Sequence, residues 1–153
     1  MSLNCSHNAW TGDYFAFKTW RRKLAEAAVL PPLDLMEGFY VSLAPYNYGS
    51  PPTLSSIADK ETAERLAILE PALPIQWECL KPDVLHELLY IDGYRGTIPV
   101  ERCAALADRL DALAPAMPES DNTPRGRNWR AKTRAFATGL RSAAAAGEAL
   151  AFS

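Results

Sequence analysis

An arginine beside an aromatic ring can hold an anion and stack on a flat group at once, because the planar guanidinium fork suits phosphate and carboxylate while the ring offers a π-face. This pairing occurs three times in the chain. Trp10, Tyr14 and Arg21 stand near its start, Tyr94 and Arg95 lie between Gly93 and Gly96, and Trp129 and Arg130 adjoin each other near its end. These seven residues are the candidate ligand-binding set. The chemistry they suit is non-enzymatic binding of an anionic small molecule such as a nucleotide, with no cofactor implied.

Catalytic and metal signatures are weaker. Cys5-x-His7 together with Cys79 and His86 supplies four zinc-type ligands, but neither spacing matches a recognised pattern, and buried cysteines with a satisfied histidine explain them more simply. Cys79 or Cys103 with His86 as base is a pairing that any chain with three cysteines meets by chance. Gly93 and Gly96 have neither the spacing nor the trailing lysine of a phosphate-binding loop, and no dinucleotide fingerprint is present. His7 is followed by Asn8-Ala9 and His86 by Glu87-Leu88, so the paired His-x-Ser/Thr motifs of two-histidine phosphoesterases are absent. No residue is assigned a catalytic or metal-ligating role.

The elements that must position the candidate set follow from periodicity and punctuation. Phe17, Trp20, Leu24 and Ala28 recur every three or four residues, which predicts a helix over Asp13 to Ala28, capped by Gly12 or Asp13 and ended by Pro31 and Pro32. From Leu33 to Ser56 proline, glycine and tyrosine dominate, so loops are expected there, carrying Tyr40, Tyr46 and Tyr48, with a short strand at Phe39 to Leu43. A short helix is expected over Asp59 to Leu69, a strand over Pro74 to Cys79, and a helical turn or two over Val84 to Leu89 that Asp83 caps.

Asp92 to Gly96 reads as a turn, after which Thr97 is placed to cap a helix that tolerates Pro99 in its first turn. Val100, Cys103, Leu106, Leu110 and Leu113 form the stripe of that helix, and Pro115 and Pro118 end it. The last helix is expected from Gly126 to Ala146 with Gly147 as its stop, followed by a strand at Leu150 to Phe152 that the N-terminal Ser2 to Ser6 is positioned to join. The fold class is therefore α+β: one globular domain over residues 1–153, dominated by helix, with a small sheet of short strands that includes both termini.

At about 100° per residue, Trp129, Phe136, Leu140 and Ala143 share one face of the last helix, while Arg127, Arg130, Arg134 and Arg141 form a ridge nearly opposite. The ridge has two readings, a solvated charged face or a surface for an anion or partner. Arg21 falls on the border of the first helix's apolar face beside Tyr14, so partial exposure is expected, either with an internal carboxylate as partner or lining a pocket.

Composition narrows the function classes. With 153 residues and 48% hydrophobic content the chain can bury a core without metal or disulfide. A net charge of -2 argues against duplex nucleic acid as partner, since duplex binding must neutralise many phosphates. Three widely spaced cysteines are expected to be free thiols. Met1 to Ala9 lacks the basic and apolar regions of a secretory signal and no stretch is long and apolar enough to span a membrane, so the expected location is cytoplasmic, with no membrane partner.

The opening Ser6-His7, then Trp10-x-Gly12-x-Tyr14-x-Ala16-Phe17-x-x-Trp20-Arg21-x-x-Leu24-Ala25, resembles an uncharacterised family of small proteins of bacteria and their phages, as does Leu80-Lys81-Pro82-x-x-Leu85-His86-x-Leu88-Leu89. Members follow the Leu-Leu pair with a run like His-Ser-Asp-Cys-Asp-Gly-Glu-Ile. Here the aligned stretch is Ile91 to Ile98, in which only Gly96 and Ile98 match, so no metal role carries over. The resemblance covers about two thirds of the chain and implies a fold and a setting. That setting makes a nucleotide signal of antiviral defence, sequestered by a phage protein, the concrete ligand expected. The alternative is a protein-binding inhibitor or adaptor that presents the arginine ridge and the tyrosine-rich loop to a host protein.

Overall fold

The computed structural model describes residues 2–31, 33, 36, 76–90, 96–119 and 127–152. The expected strand Phe39 to Leu43, the helix Asp59 to Leu69, the tyrosines at 40, 46 and 48, and residues 92–95 of the glycine turn, with Tyr94 and Arg95, lie outside the described residues.

The first helix, α1 (Tyr14–Ala27), buries Phe17, Trp20 and Leu24 completely, as its spacing requires. It stops before the prolines. The N–H of Leu30 donates to the carbonyl of Ala25 and that of Val29 to Glu26, which satisfies two orphan carbonyls and places Val29 in the left-handed region at φ 58°. Glycine is the usual residue at this position, and here it is an exposed valine.

Where a strand was expected over Pro74 to Cys79, Trp77–Leu80 forms a 3-10 turn closed by local bonds such as Cys79 N–H to Gln76 carbonyl at 3.1 Å. Within that turn only Leu80 is buried, and a half-buried strand would need alternate residues inside. The short helix α2 (His86–Leu89) follows, and Asp83 accepts from the Leu85 N–H at 3.0 Å just before it.

Thr97 does not cap a helix. It lies in strand β3 (Gly96–Ile98), and α3 (Val100–Leu113) begins after Pro99, whose fixed φ suits the helix entry but which offers no side-chain acceptor. Cys103, Leu106, Ala107, Leu110 and Leu113 bury the expected stripe, with Val100 at its exposed edge. Helix α4 (Trp129–Ala146) starts three residues later than expected, because Asn128 takes the cap and accepts from the Ala131 N–H at 2.9 Å. Gly147 ends it at φ 70°.

Among the described residues the strands form two antiparallel two-stranded sheets. Strand β1 (Ser2–Asn4) pairs with β2 (Thr11–Asp13), and β3 pairs with β4 (Leu150–Phe152). The expected pairing of the N-terminal segment with the last strand reduces to one bridge, Cys5 to Phe152, beside a bond from the Ala151 N–H to Ser6 Oγ. The nearby Thr11–Asp13 and Gly96–Ile98 are the strands' pairing partners instead. The class is nonetheless helix-dominated α+β.

Helices α3 and α4 form the principal helix pair, and α4 also packs against the 3-10 turn Ser6–Asn8. Trp10, Phe17, Trp20, Phe136 and Phe152 form one continuous aromatic cluster between α1, α4 and β4, with ring centroids 4.9 to 6.3 Å apart. Among the described residues no helix is long and apolar enough to cross a membrane.

Candidate anion-binding site

Trp10 follows the turn Ser6–Asn8 and is buried against Trp20 of α1, whose indole N–H bonds Thr133 of α4. Its ring stacks on Trp20 at 5.2 Å, meets Phe17 edge-on at 5.2 Å and carries the Lys132 ammonium 4.5 Å from its centroid. Trp129 opens α4 with its ring fully buried. The Lys23 ammonium lies 5.9 Å from the Trp129 centroid and the Arg127 guanidinium 6.0 Å. Both indole N–H groups, of Trp10 and of Trp129, are buried without a hydrogen-bond acceptor among the described residues.

The expected stacking role of these two indoles gives way to a different one. Their faces are occupied by core rings and by cations, so Trp10 and Trp129 support charges rather than offer a surface to a base. Tyr14 is the first residue of α1.

Arg21 is buried, not partly exposed as its border position suggested. It donates from Nη1 to the Leu89 carbonyl at 3.2 Å, and its guanidinium carbon lies 4.9 Å from the Phe17 centroid, which ties α1 to the end of α2. Arg130 is likewise engaged. It donates to the carbonyls of Met117 and Pro115, each at 3.2 Å, and to Glu119 at 2.7 Å, holding the 3-10 turn Ala114–Ala116 that follows α3. Lys23 and Arg127 therefore gather at Trp129 and Lys132 at Trp10, whereas Arg21 and Arg130 serve other parts of the fold.

The arginine ridge of α4 is largely answered from within. Arg141 pairs with Asp108 at 2.9 Å and with Asp111, and Arg127 lies 3.9 Å from Asp13. Arg134 is exposed and makes no ion pair among the described residues.

Lys132 was not singled out by sequence, yet it has the environment of a functional group. Burial over the Trp10 ring, and then the nearby Arg127 charge, lower its pKa below the ordinary lysine value of 10.5. It makes no ion pair with a carboxylate among the described residues, and neither does Lys23. Spacing along the chain gave no sign of it, because Lys23 lies over Trp129 and Lys132 over Trp10, each a ring brought from another element.

The zinc-type residues do not converge. Cys5 is buried, and desolvation pushes its thiol up to about 12. His7 bonds Glu148 at 2.9 Å and Ser142 at 3.3 Å, Cys79 is exposed, and His86 stacks on Tyr90 at 5.2 Å. Among the described residues no three His, Cys, Asp or Glu side chains group as a metal site. The buried Cys103 thiol donates to the Pro99 carbonyl at 3.4 Å, part of the backbone entry to α3. Compared with protein-family models, curated proteins and solved structures, the chain matches none.

Proposed function

We propose that this chain binds an anionic small molecule at the start of α4. The observation that carries the reading is Lys132, a half-buried ammonium 4.5 Å from the Trp10 centroid, beside Arg127 and without a carboxylate partner among the described residues. An ammonium half-buried over a ring is less favourable than one in water, and an anion beside it compensates the lost hydration. A nucleotide is one ligand of this class. Sequestration of a nucleotide immune signal is the biological version of this proposal.

The partner-surface reading has less support, because Arg127, Arg130 and Arg141 already face carboxylates of this chain, leaving Arg134 as the ridge arginine without an ion pair among the described residues. Native mass spectrometry of the purified protein, followed by denaturing analysis of what is released, tests the binding reading. A bound anion is expected on the wild type and lost from Lys132→Gln. A bare mass that stays bare after incubation with phosphate and nucleotides overturns the proposal, and a pull-down sensitive to Arg134→Glu then favours a protein partner.

A further inference from the structure

We infer that Ser142, His7 and Glu148 form a second site, near the C-terminal end of α4, in which the Ser142 hydroxyl takes an acyl group from an activated acyl donor. The three residues lie far apart in the chain and meet through the fold. His7, in the turn Ser6–Asn8, sets its Nδ1 3.3 Å from Ser142 Oγ and its Nε2 2.9 Å from Glu148 Oε2. A hydroxyl, an imidazole and a carboxylate in series are the nucleophile, base and orienting group of acyl transfer. Ser142 lies about three helical turns from Lys132, so this site is separate from the one at the start of α4.

The carboxylate decides which ring nitrogen carries the proton. An ionised carboxylate only accepts hydrogen bonds, so the bond to Glu148 requires Nε2–H. In the neutral ring the lone pair is then on Nδ1, the nitrogen that faces Ser142, and the hydroxyl donates to it. At 3.3 Å this bond is long, as bonds between nucleophile and base commonly are before substrate arrives.

The backbone holds the imidazole in place against its own preference. His7 (φ 57°, ψ 23°) and Asn8 (φ 56°) are both left-handed, a conformation that residues with a Cβ disfavour and that persists where surrounding contacts enforce it. Here the Cys5 N–H donates to the Trp10 carbonyl at 2.8 Å across the turn, and Ser6 Oγ accepts from the Ala151 N–H at 2.9 Å. The His7 side chain is 17% exposed, whereas Ser142 is exposed on α4, so the base is shielded while the hydroxyl is open to a substrate.

The helix sets the class of substrate. Backbone N–H groups around Ser142 bond within α4 and are not free to receive an oxyanion, so the donor must carry a good leaving group, as an aryl ester, a thioester or an acyl phosphate does. Ser142 Oγ attacks the acyl carbon while its proton passes to His7 Nδ1, and Glu148 stabilises the imidazolium. The tetrahedral adduct then breaks its bond to the leaving group, which departs with the electron pair and takes the proton from His7. The product is an ester on Ser142, which water hydrolyses to the free hydroxyl and a carboxylic acid.

Incubation of the full chain with p-nitrophenyl acetate, quenched in acid at early times and followed by peptide mass spectrometry, tests this. Acetylation of Ser142 is expected in the native protein and is expected to vanish in urea, where the three groups separate. His7→Asn, whose side chain tolerates the left-handed backbone, and Glu148→Gln should each slow Ser142 acetylation about tenfold or more. Acetylation of the exposed Cys79 is the internal reference, which neither substitution should change. Circular dichroism melts that match the wild type separate lost chemistry from lost folding, and the exposed Glu148 carries the comparison if His7→Asn melts early. An undiminished Ser142 acetylation rate in the folded variants overturns the inference. So does an unacetylated Ser142 together with p-nitrophenolate release that is the same in Ser142→Ala as in the wild type.

Discussion

The indole N–H of Trp20 donates to Thr133 Oγ1 at 2.9 Å, and Thr133 in turn donates to the Trp129 carbonyl at 2.8 Å, so a buried chain of two hydrogen bonds joins α1 to the first turn of α4. Thr133 follows Lys132 in α4, so these bonds fix where the two helices meet next to that lysine. Thr133→Val keeps the side chain's shape but leaves the buried indole donor without an acceptor. Unfolding free energy from urea titration should fall by about 1–3 kcal/mol, and Thr133→Ser, which preserves both bonds, should lose less. A Thr133→Val protein as stable as the wild type would show that the chain of bonds contributes nothing.

Gly139 sits where α4 meets the turn before β2. A Cβ added there would lie 2.5 Å from the Ala9 Cβ and 2.6 Å from its Cα, so the obstruction is backbone and cannot swing aside. Gly139→Ala gains about 1 kcal/mol of helix propensity and meets an overpacking cost of roughly 1–3 kcal/mol or more. The clash is expected to win, lowering the melting temperature by several degrees, as seen by circular dichroism. A raised melting temperature would mean the turn moves away freely.

The spacing of apolar residues made α1, α3 and α4 legible, because an amphipathic stripe survives whatever the helix packs on; Phe17, Trp20, Leu106, Leu110, Phe136 and Leu140 are all buried as read. Thr97 was misread because its cap signal and its strand propensity are equally local, and only the partner strand Leu150–Phe152 decides between them. At the site, arginines drew attention for their chemistry, but Arg21 and Arg130 are consumed by the carbonyls of Leu89, Met117 and Pro115. Those carbonyls belong to turns remote in sequence, so no spacing rule announces them. The lysines that carry the proposal are set by tertiary contact with rings from other elements, which is equally invisible along the chain.

Val29 closes α1 in a left-handed conformation at φ 58° while 90% exposed, so its side chain adds strain and little packing. Val29→Gly relieves that strain at some cost in unfolded-chain entropy. A net stabilisation of about 1 kcal/mol is expected in chemical denaturation. Destabilisation instead would show that the valine makes a contact important to the native state.

The three thiols should differ in reactivity. Cys5 is held near 12 by desolvation, and burial likewise raises Cys103, outweighing the lowering from its bond with the Leu150 backbone, while Cys79 is exposed. Brief iodoacetamide treatment of the native protein at pH 8 should modify Cys79 alone, with all three labelled in urea, as peptide mass spectrometry would reveal. Rapid native labelling of Cys5 would contradict its burial.

Asp83 ties the entry of α2 to α3 by accepting from the Leu85 N–H and pairing with Arg109 at 3.0 Å. Burial on its own raises the Asp83 carboxyl, but the Arg109 hydrogen bond, the Leu85 N–H and the Arg109 charge together outweigh it and leave the pKa below the ordinary 3.8. A carboxyl depressed on folding stabilises the native state above its unfolded pKa, and that contribution is lost as pH falls through the folded value. Asp83→Asn keeps a cap acceptor and removes the charge, so it should cost about 0.5–1 kcal/mol at pH 7. The difference from wild type should hold steady down to about pH 5 and shrink below about pH 4. Urea midpoints of both proteins across that range provide the measurement. A gap that persists undiminished at the lowest pH would mean that the aspartate acts through its shape and not through its charge.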